Sequence, residues 1–296
     1  MRWIRLTPSF IRQLIRQLIR PLIQLFCRLL LLGLISESVY AACDVRPVTQ
    51  FPAPQFKNVN EAPPTNKQRQ ATIERWWQSS CSDYRQMDLP GRRSSNLICR
   101  IPGDSAQTIV IGAHFDKVQK GKGVADNWSG IVILDALVQT FQSTKHTFSL
   151  EFVAFAAEEP GLFGARAYLQ QQDLPIQAMV NLDTIGLQRL IIGGESDPAL
   201  ACQALNIAEA LGVETRVKSW HKITGDWERF ARAGIPVLSM HSVDRSTVKQ
   251  IHSRRDKAGN VDLGLLAEAY QVAANVLAQI ANSNKERGAG LDTDER

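Results

Sequence analysis

The sequence predicts an α/β protein, a three-layer sandwich with a mixed, mostly parallel central β-sheet flanked by helices. Three observations carry this. From residue 95 onward, short apolar runs alternate with stretches of helical period, the order that builds a sheet with crossover helices. The run "TFSLEFVAFAA" (147–157) is apolar along most of its length rather than at every second position, as a strand buried on both faces must be. The first two runs, "SNLICRIPG" (95–103) and "QTIVIGAH" (107–114), are separated by the turn chemistry of "GDSA", which reads as a hairpin and makes the sheet mixed.

Residues 1–42 read as a cleaved export signal. The segment is Arg-rich, then apolar through "LLLLGLIS" (29–36), then small at Ala41 and Ala42, after either of which cleavage fits. Its "IRQLIRQLIRPLIQLF" (11–26), with Arg at every fourth position, also has the pattern of a basic membrane-surface helix. A single-span anchor is the second reading, although Arg28 interrupts the apolar run. Cys43 follows Ala-Ala as in a lipoprotein site, but Tyr40 stands where a small aliphatic residue is wanted. The protein is therefore expected to be exported, periplasmic or secreted, with membrane contact only through this segment.

The net charge of +5 does not point to nucleic acid. Residues 1–42 hold six arginines and one acid, Glu37, and the rest of the 296-residue chain balances 28 basic against 28 acidic residues. A neutral body has no electrostatic footprint for a polyanion. Outside the reducing cytosol, the even set Cys43, Cys81, Cys99 and Cys202 allows disulfides. Cys81–Cys99 is the favoured pair because both flank the start of the core; four free buried thiols are the alternative.

Residues 43–64, rich in Pro and Asn, read as an extended arm, 65–281 as a single domain, and 282–296 as a polar tail. Thr65 caps an amphipathic helix running to Cys81. After the expected hairpin come a helix over 130–142, the central strand over 147–157, a helix from 161 and a strand over 178–186. A helix closed by Gly212, a short strand "VETRVKS", a helix closed by Gly234, the strand "IPVLSM" and a final helix over 263–281 complete the domain.

Polar side chains interrupt this pattern where strands end. His114 and Asp116 lie two residues apart, on one face, at the end of the apolar run "IVIGA". The central strand runs into Glu158 and Glu159, with Pro160 and Gly161 expected to break it so that both acids can face one site. A third strand ends in Asp183, and Asp126 sits in a Gly-flanked turn before a helix. Each alone has an ordinary explanation as a cap or a solvated turn. Together they put imidazole and carboxylates at the C-terminal ends of neighbouring strands, where they would repel or desolvate one another without a cation. Mixed N and O donors suit zinc.

The ordered set His114-x-Asp116, "GVADNWSG", "AAEEPGLFGA", "NLDTIG" and "IHSRRD" resembles the M28 family of zinc peptidases, which includes bacterial secreted aminopeptidases. The resemblance covers roughly residues 95–280. It implies two Zn2+ per chain held by His114, Asp126, Glu159, Asp183 and His252, with Asp126 bridging. It further implies Glu158 as general base, Asp116 as the residue that orients His114, and a cis peptide between Asp126 and Asn127. The implied activity is removal of N-terminal residues from a peptide substrate; carboxypeptidase action stays open. Two other readings stand beside it: a glutaminyl-cyclase-like acyltransferase with one zinc, and a metal-binding ectodomain without activity. Ligands for two metals argue against the first, and an intact Glu158 against the second.

His241 rivals His252 as the last ligand but reads as a loop or core histidine; His146 and His221 read as surface positions. A sequon at Asn127 is discounted, because a glycan there would block the site. Three departures from the family pattern stand out. Ile251 replaces the Tyr that precedes the final His in many relatives, Gly225-Asp226-Trp227 replaces Ser-Asp-His, and Thr184 replaces a common Met.

Overall fold

The computed structural model describes residues 43, 46–219 and 224–282. The expectations for residues 1–42, for the tail beyond residue 282 and for His221 lie outside the described residues. The chain divides into the units Met1–Asp44 and Val45–Arg296, and the fold below is that of the second.

Eight strands form one sheet: β1 (Asp83–Asp88), β2 (Ser95–Ile101), β3 (Ser105–His114), β4 (Phe148–Phe155), β5 (Ile176–Asp183), β6 (Ile191–Gly193), β7 (Arg216–Lys218) and β8 (Val237–His241). Their order is β1-β2-β4-β3-β5-β8-β6-β7. The central β4, β3, β5 and β8 run parallel, whereas β1 and β2 on one side and β6 on the other are antiparallel to their inner neighbours. The helices are α1 (Asn66–Ser80), α2 (Ser129–Phe141), α3 (Phe163–Gln171), α4 (Pro198–Ala210), α5 (Trp227–Arg232) and α6 (Leu263–Ile280).

The predicted hairpin between β2 and β3 does not form, because β4 lies between them. The chain leaves β2, crosses the start of β4 at Gly103 and enters β3 on its far side. A Cβ at Gly103 would overlap the Phe148 backbone, so the glycine permits the crossing rather than a tight turn. The physical reason is burial: every residue of β4 is buried, and such a strand needs a partner on each edge. The true hairpin joins β2 to β1, whose "DYRQMD" buries only Met87 and carries no apolar alternation to announce it. The three-residue β6 was likewise not predicted.

Successive residues of β3 serve opposite faces of the sheet. Ile109, Ile111 and Ala113 join a core with α1, α2, α4 and α6, while Val110 joins a smaller one with Tyr168 of α3 and Phe230 of α5. This is the expected three-layer sandwich. Thr65 caps α1 by accepting the Gln68 N–H at 3.2 Å. Cys81, at the end of that helix, is disulfide-bonded to Cys99 of β2, the favoured pairing, and Cys43 and Cys202 are also disulfide-bonded. The arm has no regular structure over residues 46–56. Its backbone is gripped by side-chain amides spaced one turn apart on α6: Asn275 pairs with Thr49 (2.7 and 2.9 Å) and Gln271 with Phe51 (3.1 and 2.6 Å).

One acid in this framework gives a pH-dependent stability. Asp135 of α2 accepts the Trp77 indole N–H at 3.1 Å. Burial pushes its carboxyl up to about 6, with the bonds from Trp77 and Gln139 pulling back. Between the unfolded value near 4 and the folded value, the native state binds the extra proton, so stability falls as pH rises through that window and is flat above it. Asp135→Asn keeps the acceptor and removes the charge. It is expected to stabilise by on the order of 2 kcal/mol at pH 8 and by almost nothing at pH 4. Urea melts of both proteins at the two pH values check this; an equal difference at both would refute it.

Candidate metal centre

The site forms at the C-terminal ends of the parallel strands. His114 is the last residue of β3 and Asp183 the last of β5, its neighbour. Asp126 comes from the loop ahead of α2, Glu158 and Glu159 from the loop after β4, and His252 from the long segment after β8. The structure brings all seven residues named from the sequence to one place. His114 Nε2 stands 3.2 Å from Asp126 Oδ1, 3.6 Å from Asp183 Oδ1 and 4.0 Å from Glu158 Oε2. His252 Nε2 stands 3.0 Å from Asp126 Oδ2 and 2.9 Å from Glu159 Oε2. Two potential ligand groups result, His114–Asp126–Asp183 and Asp126–Glu159–His252, and Asp126 belongs to both.

Asp116 acts with its backbone as well as its carboxylate. Its carbonyl oxygen lies 3.1 Å from His114 Nδ1, which fixes the ring and turns Nε2 to the centre, while its Oδ1 is 3.7 Å from the same nitrogen. The carboxylate accepts the N–H groups of Glu158 (2.9 Å) and Glu159 (3.2 Å). That grip explains how adjacent acids reach one site. The strand ends earlier than Pro160: β4 stops at Phe155, and Ala157 turns into the left-handed region at φ 55°. Thr184 after Asp183 (φ 54°), Leu162 (φ 57°) and His252 itself (φ 53°) are also left-handed. Such residues each cost about 1–3 kcal/mol and persist where the surroundings over-determine them.

The supporting roles of three residues escaped the sequence reading. The peptide Asp126–Asn127 is cis, as the resemblance implied. Asn127 is fully buried, accepts the N–H groups of Gly130 and Thr184 (3.0 Å each) and donates to Leu182 O (2.9 Å). It ties the Asp126 loop to the end of β5, and its burial rules out a glycan in the folded state. Asp256, the acid ending "IHSRRD", accepts from Ala125 N (2.7 Å) and Asp126 N (3.3 Å), binding the segment of His252 to that of Asp126. Arg69 is fully buried and donates to the carbonyls of Pro63, Phe115, Lys122 and Gly123 at 2.6–3.1 Å, holding the chain between His114 and Asp126. The signal for Arg69 was its position: it continues the buried stripe of Ile73 and Trp77 on α1.

His241, the last residue of β8, is buried beside the site; its Nδ1 accepts the Val243 N–H at 3.1 Å, and it belongs to neither ligand group, as a core histidine would. His146 corrects the sequence reading. It is buried, not on the surface, with Nε2 2.8 Å from Thr144 Oγ1 and its ring packed on Phe141.

Charge at the centre is one-sided. Asp116, Asp126, Glu158, Glu159, Asp183 and the fully buried Asp226 converge on two imidazoles. Burial, with Asp226, Asp183 and Asp126 nearby, pushes Glu158 up to about 9 against the pull of His114. Burial likewise pushes Asp226 up to about 8. Hydrogen bonds that His252 donates to the Asp126 and Glu159 carboxylates raise it to about 10. Both carboxylate oxygens of Asp226 and Oε1 of Glu159 are buried without a hydrogen-bond partner. A desolvated excess of carboxylate is what divalent cations neutralise, so the donor set fits a metal pair. These ligands themselves line a cavity of ≈ 230 Å³, whose remaining wall includes Leu162, Thr224, Val243, Val248 and Ile251.

Residues 96–277 match the family described as Peptidase family M28. Leupeptin-inactivating enzyme 1 of Streptomyces exfoliatus is 31% identical over 160 residues, which are 51% of this chain and 36% of that protein. Among solved structures, the LapA aminopeptidase of Legionella pneumophila superposes with a TM-score of 0.64 at 18% identity, covering 77% of this chain and 69% of its own. BSAP, a zinc aminopeptidase from Bacillus subtilis, superposes with a TM-score of 0.59 at 20% identity over 65% of this chain and 51% of its own. The chain spans between 30% and 56% of the length of the curated relatives it matches first.

Proposed function

The chain belongs to peptidase family M28, and from that premise we propose that it is a zinc aminopeptidase with a dinuclear centre and Glu158 as its general base. One observation carries the reading: Asp126 turns Oδ1 toward the His114 group and Oδ2 toward the His252 group. His114 and Asp183 would hold one zinc, Glu159 and His252 the other, and Asp126 both. Bound zinc supplies Lewis acidity, polarising the scissile carbonyl and making water more acidic.

The remaining chemistry belongs to the chain. Glu158 is in neither ligand group, yet lies 4.0 Å from His114 Nε2. With bound cations offsetting the carboxylates that otherwise hold it protonated, it is thus free to take a proton from water and return it to the leaving amine. Asp116 fixes the backbone of both Glu158 and Glu159, so base and ligand move together. The surrounding carboxylates favour a substrate's cationic N-terminus over a C-terminal carboxylate, which supports amino- rather than carboxypeptidase action. The small cavity, walled away from the ligands by Leu162, Val243, Val248 and Ile251, suits one side chain, as exopeptidase action requires. Ile251 leaves the family's usual hydroxyl position empty of any donor. Two ligand groups rather than one disfavour a single-zinc cyclase. Disulfides at four cysteines support an exported protein.

Purified protein is expected to hold two zinc ions per chain and to release free leucine from Leu-Ala-Ala, with activity lost to 1,10-phenanthroline and restored by zinc. Mass spectrometry of the products and metal analysis check this. Trimming from the other terminus, or cyclisation of glutaminyl peptides with one bound zinc, would overturn the reading.

A further inference from the structure

A second, larger groove adjoins the metal centre. Its volume is ≈ 1160 Å³ against ≈ 230 Å³ for the cavity the ligands line, and Glu159 lines both. On the groove's own side of Glu159 the wall continues with Asp116 and Pro160. The groove has room for several residues and meets the centre at Glu159. Its far walls are cationic: Lys67 on α1, Arg92 and Arg93 in the β1–β2 turn, and Lys117 after β3, with Glu74 as the one acid away from the centre.

Among the described residues, none of these cations forms an ion pair with a carboxylate, and Lys117 Nζ donates to Val118 O. Elsewhere Arg85 meets Glu151, Arg189 meets Glu214, Arg216 meets Asp244 and Arg232 meets Glu228. Among the described residues, neither Arg92 nor Arg93 meets a carboxylate. Arg92 is nonetheless held in place: its guanidinium lies 3.5 Å over the Phe163 ring, a stack that leaves its edge N–H groups free. The turn itself is pinned by Arg92 N to Leu89 O (3.1 Å) and by Ser95 Oγ to Asp88 Oδ1 (2.7 Å). Gly91, at φ 72°, takes the left-handed position the turn needs. A positioned guanidinium with open donors is a carboxylate receptor.

We propose that this groove binds the part of the peptide beyond the cleaved bond through its carboxylate groups, so that the preferred substrates are peptides carrying negative charge downstream of the N-terminal residue. The proposal rests on the aminopeptidase reading for its orientation. The carboxylates come either from acidic side chains or from the C-terminus of a short peptide.

Binding separates this proposal from the reading beneath it. Zinc-loaded Glu158→Gln protein is titrated with Leu-Ala-Glu-Glu-Ala-amide and Leu-Ala-Gln-Gln-Ala-amide by calorimetry, and with Leu-Ala-Ala and its amide. An acidic peptide, or the free tripeptide, is expected to bind about five- to tenfold tighter than its neutral counterpart. The gap should shrink in about 0.5 M salt. It should close in protein also carrying Arg92→Gln and Arg93→Gln, or Arg93→Gln alone should the pair fail to fold. Preference for the Glu peptide identifies side chains as the source, preference for the free tripeptide the terminus. The wild-type kcat/KM ratio for the same pairs should follow the affinities. Equal affinities within both pairs overturn the proposal, whether or not either peptide is cleaved. Failure of wild-type protein to cleave any of them, with the charge preference intact, sinks the activity and leaves the groove assignment standing.

Discussion

Glu158→Gln is expected to lower kcat by about 10²–10⁴-fold while zinc content and KM stay close to wild type. The size follows from what the substitution removes. Gln is nearly isosteric with Glu, and the backbone N–H of residue 158 is anchored by Asp116, so the side chain keeps its place. It loses only the capacity to accept a proton. Because Glu158 stands in neither ligand group, the metals lose no donor. The same variant makes a second, independent forecast. In the metal-free protein, burial and three neighbouring carboxylates hold Glu158 protonated at neutral pH, a cost relative to the unfolded chain that a neutral amide does not carry. The apoprotein melting temperature should therefore hold or rise while activity collapses. Stopped assays, zinc analysis and calorimetric melts on one preparation give all three numbers. Activity within tenfold of wild type would assign the base elsewhere; a fall in activity matched by lost zinc would make Glu158 a ligand.

How much of this was visible in the sequence depends on what each residue does. The strand ends were legible because β3, β4 and β5 are apolar runs that stop abruptly on His114, Glu158 and Asp183, and an ionisable group at such a point needs a reason. The sheet order was not legible. The chain gives the same short turn whether β3 returns beside β2 or steps over β4, and only the burial of β4 on both edges decides it. β1 was silent because an exposed edge strand has no need of apolar alternation. The roles of Asn127, Arg69 and Asp256 were missed for a different cause. These residues work by saturating backbone groups contributed by distant segments, and such partners are defined only once the fold exists. Asp256 stood inside a recognised motif, yet its task, holding the N–H groups of Ala125 and Asp126, could not be read from spacing. The break before the paired acids fell at Ala157 rather than Pro160 because the Asp116 carboxylate, not proline chemistry, captures both amide groups.

The shared carboxylate offers the sharpest discrimination between one metal and two. Asp126→Asn is expected to reduce bound zinc from two per chain to one or fewer and to cut kcat/KM by roughly 10²–10³-fold or more, the worth of several kcal/mol of lost carbonyl polarisation. An amide presents one acceptor oxygen and one NH₂ donor, so the face that turned a lone pair to one cation now turns hydrogens to it. Asp183→Asn and His252→Ala each touch a single group, and each should leave one zinc in place. The ordering is the test: loss must be greatest for residue 126, although Asp183 and Glu159 are carboxylates too, because among the described residues only Asp126 serves both groups. Stability provides the control. Asp126 also stands within 3.2 Å of His114 and 3.0 Å of His252, so its neutralisation loosens two charge-assisted contacts in the apoprotein. Far-ultraviolet circular dichroism at 25 °C should still report a folded chain, since the buried strands and the Asp256 grip on the loop persist. If folded Asp126→Asn protein retains two zinc ions per chain, the carboxylate does not bridge, and the two ligand groups must be completed independently of one another.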